Sequence, residues 1–341
     1  MIFVVGNSRS GTTLMGRILG RHPRVFTFNE LHFFEQLWHV HQPPPTLDAD
    51  RAVQLAARLM TIQRDGYYTQ RDPAEYYNEA PQVVDPIEPP ITPPKLYAAF
   101  IDYELAHHGK QIGCDHTPRN LYYLGDLLAM YPDARAIVIV RDPRDVMLSQ
   151  KQRWKRRFLQ DQPMPWWNTA RTWAGYHPIT MSLLWRGGVR AGDHVSAHPR
   201  VQVHRFEHVV QQPEQQITQV CKFLGLDFVP DMLEVPRIMS SHERDQPEQP
   251  GLDPDAVGRW RHGGLSRTEI GILQRLCKVE MRRYGYETAP HKPSPIGLVW
   301  SGLTWLVKGA AAFVLNLGRM RRIVPAMRRR LRGSEPVRSR R

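Results

Sequence analysis

At 341 residues, with 41% hydrophobic and 23% charged residues, the chain is long enough to bury one large core and has the make-up of a folded globular protein, not of a disordered or fibrous one. The net charge of +13 is concentrated: ten arginines against the single acid Glu335 give residues 319–341 a charge of +9, leaving +4 for everything before them. That distribution argues against a nucleic-acid-binding body and assigns the basic signal to a tail. Three widely separated cysteines, Cys114, Cys221 and Cys277, indicate neither a disulfide framework nor a CxxC metal site, which fits a reducing, cytosolic setting. The first residues lack a basic n-region and a small-residue cleavage site, so no secretory signal is expected.

The chain opens on its most informative stretch, Val4 to Arg21 (VVGNSRSGTTLMGRILGR). A β-branched run enters a loop bounded by Gly6 and Gly11, and a helix with apolar Leu14, Ile18 and Leu19 leaves it. Glycines let backbone N–H groups converge, and the positive end of the new helix favours an oxyanion, so an anionic ligand is expected above Ser10, Gly11, Thr12 and Thr13. The Gly6-x4-Gly11 spacing approaches the Walker A pattern, but Thr12 stands where that pattern requires lysine, and the cation of this loop is Arg9. The R-S-G-T-T form, followed by an apolar helix and His22-Pro23, resembles the 5′-phosphosulfate loop of sulfotransferases that use 3′-phosphoadenosine 5′-phosphosulfate (PAPS).

A short second strand, Arg24 to Phe28, presents Asn29, Glu30 and His32 beyond its carboxyl end, the edge at which open α/β sheets bind ligands. An acid there is equally readable as a solvated or capping residue. Residues 35–110 read as an insertion with proline clusters, an amphipathic helix near Arg51 to Arg64 and a second helix from Lys95 to His108, of a length that suggests a helical cap over the cleft. A third strand, Gln111 to Asp115, leads into His116-Thr117-Pro118.

Ala136 to Val140 (AIVIV) is a continuous apolar run of the kind buried on both faces of a parallel sheet. It ends in Arg141-Asp142-Pro143-Arg144-Asp145 and a helix carrying Ser149 and Arg153, with Asp142 as N-cap and Pro143 in the first turn. A guanidinium and a hydroxyl so placed suit a phosphate. The arrangement resembles the 3′-phosphate motif of the sulfotransferase family, and two matched motifs leave chance a poor account. Trp154 to Arg190 reads as helical, with its tryptophans in the core. Arg200 to Phe206 reads as a further strand, and Phe206-Glu207-His208-Val209 with Cys221-Lys222-Phe223-Leu224-Gly225 resembles a structural stretch of the family, Gly225 ending a helix. Gly258-Arg259-Trp260-Arg261 matches the family's late segment that folds over the nucleotide; it reads equally as a basic loop stapled by a buried tryptophan. His194 and His198 have zinc-like spacing without further ligands, and no metal is expected.

The resemblance covers about residues 1–285, within a domain taken as 1–290 and followed by a helix and tail over 296–341, and implies an α/β, three-layer sandwich with a central parallel sheet and a P-loop-like phosphosulfate loop. It implies in-line sulfuryl transfer from PAPS to a hydroxyl or amine, with Arg9, Ser10, Gly11, Thr12 and Thr13 on the phosphosulfate and Arg141, Ser149, Arg153, Arg259, Trp260 and Arg261 on the rest of the nucleotide. Two residues compete for the base. Glu30 matches the glutamate of branches with carbohydrate or tyrosine acceptors, and His116 matches the histidine of the cytosolic small-molecule branch, although Cys114 replaces that branch's lysine. Glu30 is taken as base, with His116 steering the sulfuryl oxygens and Arg9 countering leaving-group charge. A P-loop kinase or NTPase, and a non-catalytic nucleotide-binding protein of a membrane surface, are the rival readings.

Ile296 to Leu317 is mostly apolar, long enough to cross a bilayer core, and carries a polar stripe at Gly297, Ser301, Thr304, Lys308 and Asn316 that continues to Arg319. With the arginine block behind it, taken as disordered when unbound, the helix is readable as lying in an anionic membrane surface, docked on a protein surface, or spanning. A peripheral cytoplasmic enzyme acting on a small-molecule, lipid or carbohydrate acceptor, without nucleic acid, is the expectation.

Overall fold

The computed structural model describes the chain except residues 41–43, 67–72, 156–157, 160–161, 164–165, 238–245, 317–326, 328–329 and 331–341. Five strands form a parallel sheet: β1 (Ile2–Gly6), β2 (Val25–Phe28), β3 (Ile112–Asp115), β4 (Arg135–Val140) and β5 (Val201–Arg205), in the order β2-β3-β1-β4-β5. Successive side chains of a strand point to opposite faces, and here both faces are covered. Phe3, Val5, Ala136 and Val138 enter one core with the helices Ala49–Asp65, Pro93–His107 and Pro178–Val195, through Ala56, Leu59, Phe100 and Trp185. Ile2, Val4, Ile137 and Ile139 enter the other with α1 (Thr12–Gly20) and the helix Pro213–Leu224, through Met15, Ile18, Ile217 and Val220. The result is the three-layer sandwich expected of an uninterrupted apolar central strand. The helices Ala49–Asp65, Pro81–Val84 and Pro93–His107 share the sheet's own core.

Register decides what meets at the carboxyl edge. Gly6 pairs with Ile139 and Val140 with Arg205, so the residues leaving β1, β4 and β5 stand side by side: the glycine loop, Arg141 and Phe206. Phe28 and Phe3 both align with Asp115, which sets Glu30 beside His116 and leaves His116 below the loop, against α1. Close approach there depends on Gly16, whose missing Cβ would stand 2.9 Å from the His116 ring.

Two expectations are corrected. Trp154 to Arg190 is not one helical stretch: a short antiparallel pair, Phe158–Leu159 with Gln162–Pro163, precedes the helices Trp166–Gly175 and Pro178–Val195. Its tryptophans are not uniformly core either, since Trp185 is 2% exposed while Trp166 is 76% and Trp173 52%. The reason lies at the other end of the chain. The helix Pro295–Asn316 packs beside Trp166–Gly175, and the two form an outer layer that no further element covers among the described residues. The arginine block beyond that helix lies outside the described residues, apart from Met327 and Arg330.

Candidate active site

The glycine loop is built by a turn, Ser10 N donating to Asn7 O at 3.0 Å, and by two left-handed residues, Arg9 at φ 74° and Gly11 at φ 99°. A left-handed arginine is strained, and such strain persists where surrounding contacts hold it. Here Arg9 Nε donates to Ser149 Oγ at 2.9 Å, and Arg9 O accepts from Arg141 Nη1 at 3.1 Å. The two motifs that the sequence separates by more than 130 residues are therefore in direct contact. α1 begins at Gly11 without a side-chain cap and with no acid in its first turn, so its leading N–H groups keep their affinity for an anion. Ser10 Oγ is buried and has no hydrogen-bond partner among the described residues.

Arg141 is 6% exposed. Its Nη2 donates to Ala256 O at 2.6 Å, its guanidinium lies 4.2 Å from the centre of the Phe206 ring, and Nε has no partner among the described residues. Burial lowers its pKa, opposed by Asp145 and Glu207, and an arginine stays charged regardless. Phe206 also closes on the loop: a Cβ at Gly11 would stand 2.4 Å from its ring. Trp185 Nε1 donates to Arg141 O at 3.0 Å, and Asn7 Nδ2 donates to Trp185 O at 3.0 Å, tying the loop to the helix behind it.

Behind Ser149, the helix Pro143–Gln152 starts as its sequence dictates, with Asp142 accepting from Arg144 N and Pro143 in the first turn. Asp142 also holds Arg144, whose guanidinium lies 4.0 Å from the Trp260 ring centre. Glu207 Oε1 accepts from Asp142 N at 2.8 Å and Glu207 Oε2 from Tyr286 at 2.9 Å. Asp145 accepts from Gly258 N at 2.8 Å and Trp260 N at 3.0 Å, so the late basic loop is hung from the helix that carries Ser149. Trp260 is buried with Leu148 and Ile270, the staple that the sequence admits as one of its two readings. Arg259 is engaged by Asp253 at 2.7 Å and Arg261 lies over the Trp260 ring; Arg153 follows the Ser149 helix and is exposed.

At the neighbouring strand ends, Glu30 Oε2 lies 3.2 Å from His32 Nε2. Burial raises the Glu30 pKa, but the hydrogen bond and charge of His32, with His116 and Arg119 nearby, outweigh it and bring the carboxyl down to about 2. His116 is 7% exposed; burial lowers its pKa against the pull of Glu30 and Asp115, and its Nδ1 has no hydrogen-bond partner among the described residues. Asp115 fixes its neighbours, accepting from Tyr97 at 2.7 Å, Thr117 N at 2.8 Å and Asn120 at 2.9 Å. Asn29 N donates to Gln63 Oε1 at 2.8 Å, which brings the helix Ala49–Asp65 to this side of the cleft. Glu35, buried beyond it, pairs with Arg119 at 3.7 Å and with Arg330 of the tail.

Asn7, Asp145, Phe206 and Glu207 are the residues that motif reading passes over. Asp145 lies inside the R-D-P-R-D run and Phe206-Glu207 inside the stretch read as structural, but no spacing rule links them to the loop.

A doubly wound sheet with a glycine loop, an internal arginine and a second arginine–serine strand end defines a phosphate-loop group-transfer protein. The chain belongs to the sulfotransferase family: the model of the "Sulfotransferase family" matches residues 2–231. Its relatives include the nodulation protein NoeE of Sinorhizobium fredii (strain NBRC 101917 / NGR234), 25% identical over 318 residues that span 88% of this chain and 69% of the relative. Solved structures of like fold include the sulfotransferase domain of the curacin biosynthetic pathway, with TM-score 0.51 and 17% identity over 85% of this chain and 98% of that one. The sulfotransferase domain of the Synechococcus PCC 7002 olefin synthase gives TM-score 0.52 and 19% identity over 82% and 94%. The chain is thus a sulfotransferase with the expected α/β fold and a C-terminal apolar helix. Among the described residues no group of three metal-ligating side chains occurs.

Proposed function

We propose that this sulfotransferase takes PAPS as donor and moves its sulfuryl group in line to a hydroxyl or amine. One observation carries the reading: the loop arginine and the β4-end motif meet, Arg9 Nε on Ser149 Oγ at 2.9 Å and Arg141 Nη1 on Arg9 O at 3.1 Å, so two phosphate-binding motifs face one ligand. The 5′-phosphosulfate would lie over Ser10 to Thr13, where helix N–H groups and the unpartnered Ser10 hydroxyl point, and the 3′-phosphate near Ser149 and the spare Nε of Arg141. Arg259, whose charge acts on Arg141, and Arg261, over the Trp260 ring, would serve that end, with Trp260 behind them.

In such a reaction the protein positions reactants and stabilises developing charge. Arg9 would counter the charge that develops on the departing bisphosphate. The acceptor O–H or N–H loses its proton to Glu30, which is ionised at every working pH, while His32 orients the carboxylate. His116, neutral because it is buried, would donate its ring N–H to the sulfuryl oxygens. A second reading makes His116 the base, favoured by its neutral imidazole and unpartnered Nδ1. Calorimetric titration with adenosine 3′,5′-bisphosphate tests the donor site: micromolar binding, weakened at least tenfold by Arg9→Ala, is expected, and no binding overturns it.

For the acceptor and the location, a membrane-associated substrate such as a lipid or glycolipid, reached from the cytoplasmic side, is proposed. The support is the helix Pro295–Leu315, which has a mean hydropathy of 1.6 and is long and apolar enough to cross a bilayer by length and composition.

A further inference from the structure

We infer that Pro295–Asn316 seats the protein on an anionic lipid surface as an in-plane helix, with its polar edge fixed to the body and its apolar face turned into the lipid. The inference rests on the membrane association proposed above and adds its geometry: the helix lies along the surface and does not cross it.

In a water-soluble protein an amphipathic helix turns its apolar stripe to the core. Here the order is reversed. Thr304 Oγ1 meets His177 Nε2 at 3.3 Å, Trp305 Nε1 donates to Thr180 Oγ1 at 3.0 Å, and Lys308 Nζ donates to Tyr176 O at 3.2 Å while lying 4.3 Å from the Trp173 ring centre. Nearer the two ends, Gly297 is so close that a Cβ would stand 2.5 Å from Thr268 Oγ1, and Leu315 O accepts from Arg171 Nε at 2.6 Å. Contacts with the body therefore run from Gly297 to Leu315, with Thr304 and Lys308 of the polar stripe turned toward it. On the outer side Ile296, Val299, Trp300, Leu303, Leu306 and Val307 are 59% to 84% exposed, at the three- and four-residue spacing of one helical face. An apolar surface of this kind is held in water only at a cost, and marks something that covers it.

Charge selects the occupant. Ten arginines and one acid follow the helix in residues 319–341; Arg330 is held by Glu35, and the remaining excess of positive charge in that sequence is the flank that draws an apolar helix face to anionic headgroups. A spanning orientation would break every polar contact from Thr304 to Leu315 and strand Lys308 at mid-bilayer.

The test uses the full chain with Leu306→Cys carrying a bimane; the native thiols are buried and label slowly. Vesicles of phosphatidylcholine, alone or with about 30% phosphatidylserine, carry bromines at a shallow or a deep acyl position. Expected are at least tenfold stronger partitioning to the anionic vesicles, strongest quenching by the shallow bromines, and loss of partitioning in Val299→Glu/Leu303→Glu with bisphosphate affinity retained. If the wild-type chain does not partition at all, the membrane association proposed above fails with this inference. If it partitions but the deep bromines quench most, only the in-plane geometry is overturned. A lipid-free dimer that the double variant dissociates would assign the face to a second copy and overturn the inference as well.

Discussion

Replacing Gly11 by alanine strikes the point where loop, β4 and β5 converge. Two costs add. At φ 99° an L-residue sits in the left-handed region, worth about 1–2 kcal/mol. The new methyl would also stand 2.4 Å and 2.7 Å from Cδ2 and Cε2 of Phe206, far inside contact distance. Phe206 has little room to retreat, because it is 5% exposed and the Arg141 guanidinium lies 4.2 Å from its ring centre. Overpacking of this kind costs about 1–3 kcal/mol, so the variant should lose about 2–5 kcal/mol in all. Gly225→Ala is the matched control: φ is 74° with nothing within 4 Å, so only the backbone cost of about 1–2 kcal/mol applies. Urea unfolding measures both, and titration with adenosine 3′,5′-bisphosphate should show an affinity loss of tenfold or more in Gly11→Ala alone. A Gly11→Ala variant no less stable than Gly225→Ala, with unchanged affinity, would refute the placement of Phe206 against the loop and the coupling of loop to β4.

Glu30→Gln should lower kcat by about 10²–10⁴ with bisphosphate affinity unchanged, as loss of a base does. With Glu30 as base, kcat/KM stays flat from pH 7 downward, since its folded pKa of about 2 lies below the unfolded value and protonation waits until pH falls through that range. If His116 is the base, kcat/KM instead falls on acidification, at a pH beneath the ordinary imidazole range because burial lowers its folded pKa; His116→Asn then abolishes the slope. Ser149→Ala removes the partner of Arg9 Nε and should raise the donor KM by about tenfold while Tm changes little; an unchanged KM would separate Ser149 from the donor site. Asp145→Ala leaves the Gly258 and Trp260 amides without their acceptors and should cost about 2–4 kcal/mol, with faster proteolysis between 253 and 261; a stability within 0.5 kcal/mol of the parent would show that the loop holds itself.

Local features were legible because local physics produces them. The glycine pair, the apolar AIVIV run, the Asp142-Pro143 start and the Gly225 stop each specify backbone geometry from residues a few positions apart, and each appears as read. The pairing of the 9–13 and 141–149 motifs was reached through resemblance, because nothing in either motif encodes its distance from the other. Asn7, Asp145, Phe206 and Glu207 escaped for the same reason: their partners lie between 65 and 195 positions away in the chain, as with Glu207 to Asp142 or Gly11 to Phe206.

The C-terminal helix divides the two kinds of information most sharply. Its length, apolar content and polar stripe follow from residue identities alone, since a period of 3.6 places Ser301, Thr304 and Lys308 on one side whatever surrounds them. Which side faces the protein does not follow, because that depends on partners supplied from elsewhere in the chain: Tyr176, His177 and Thr180 offer polar groups, so the stripe turns inward and the apolar face outward. The sheet register acts likewise at the site, where backbone pairing of Gly6 with Ile139 and Val140 with Arg205, invisible to any local pattern, sets the loop, Arg141 and Phe206 within contact of one another.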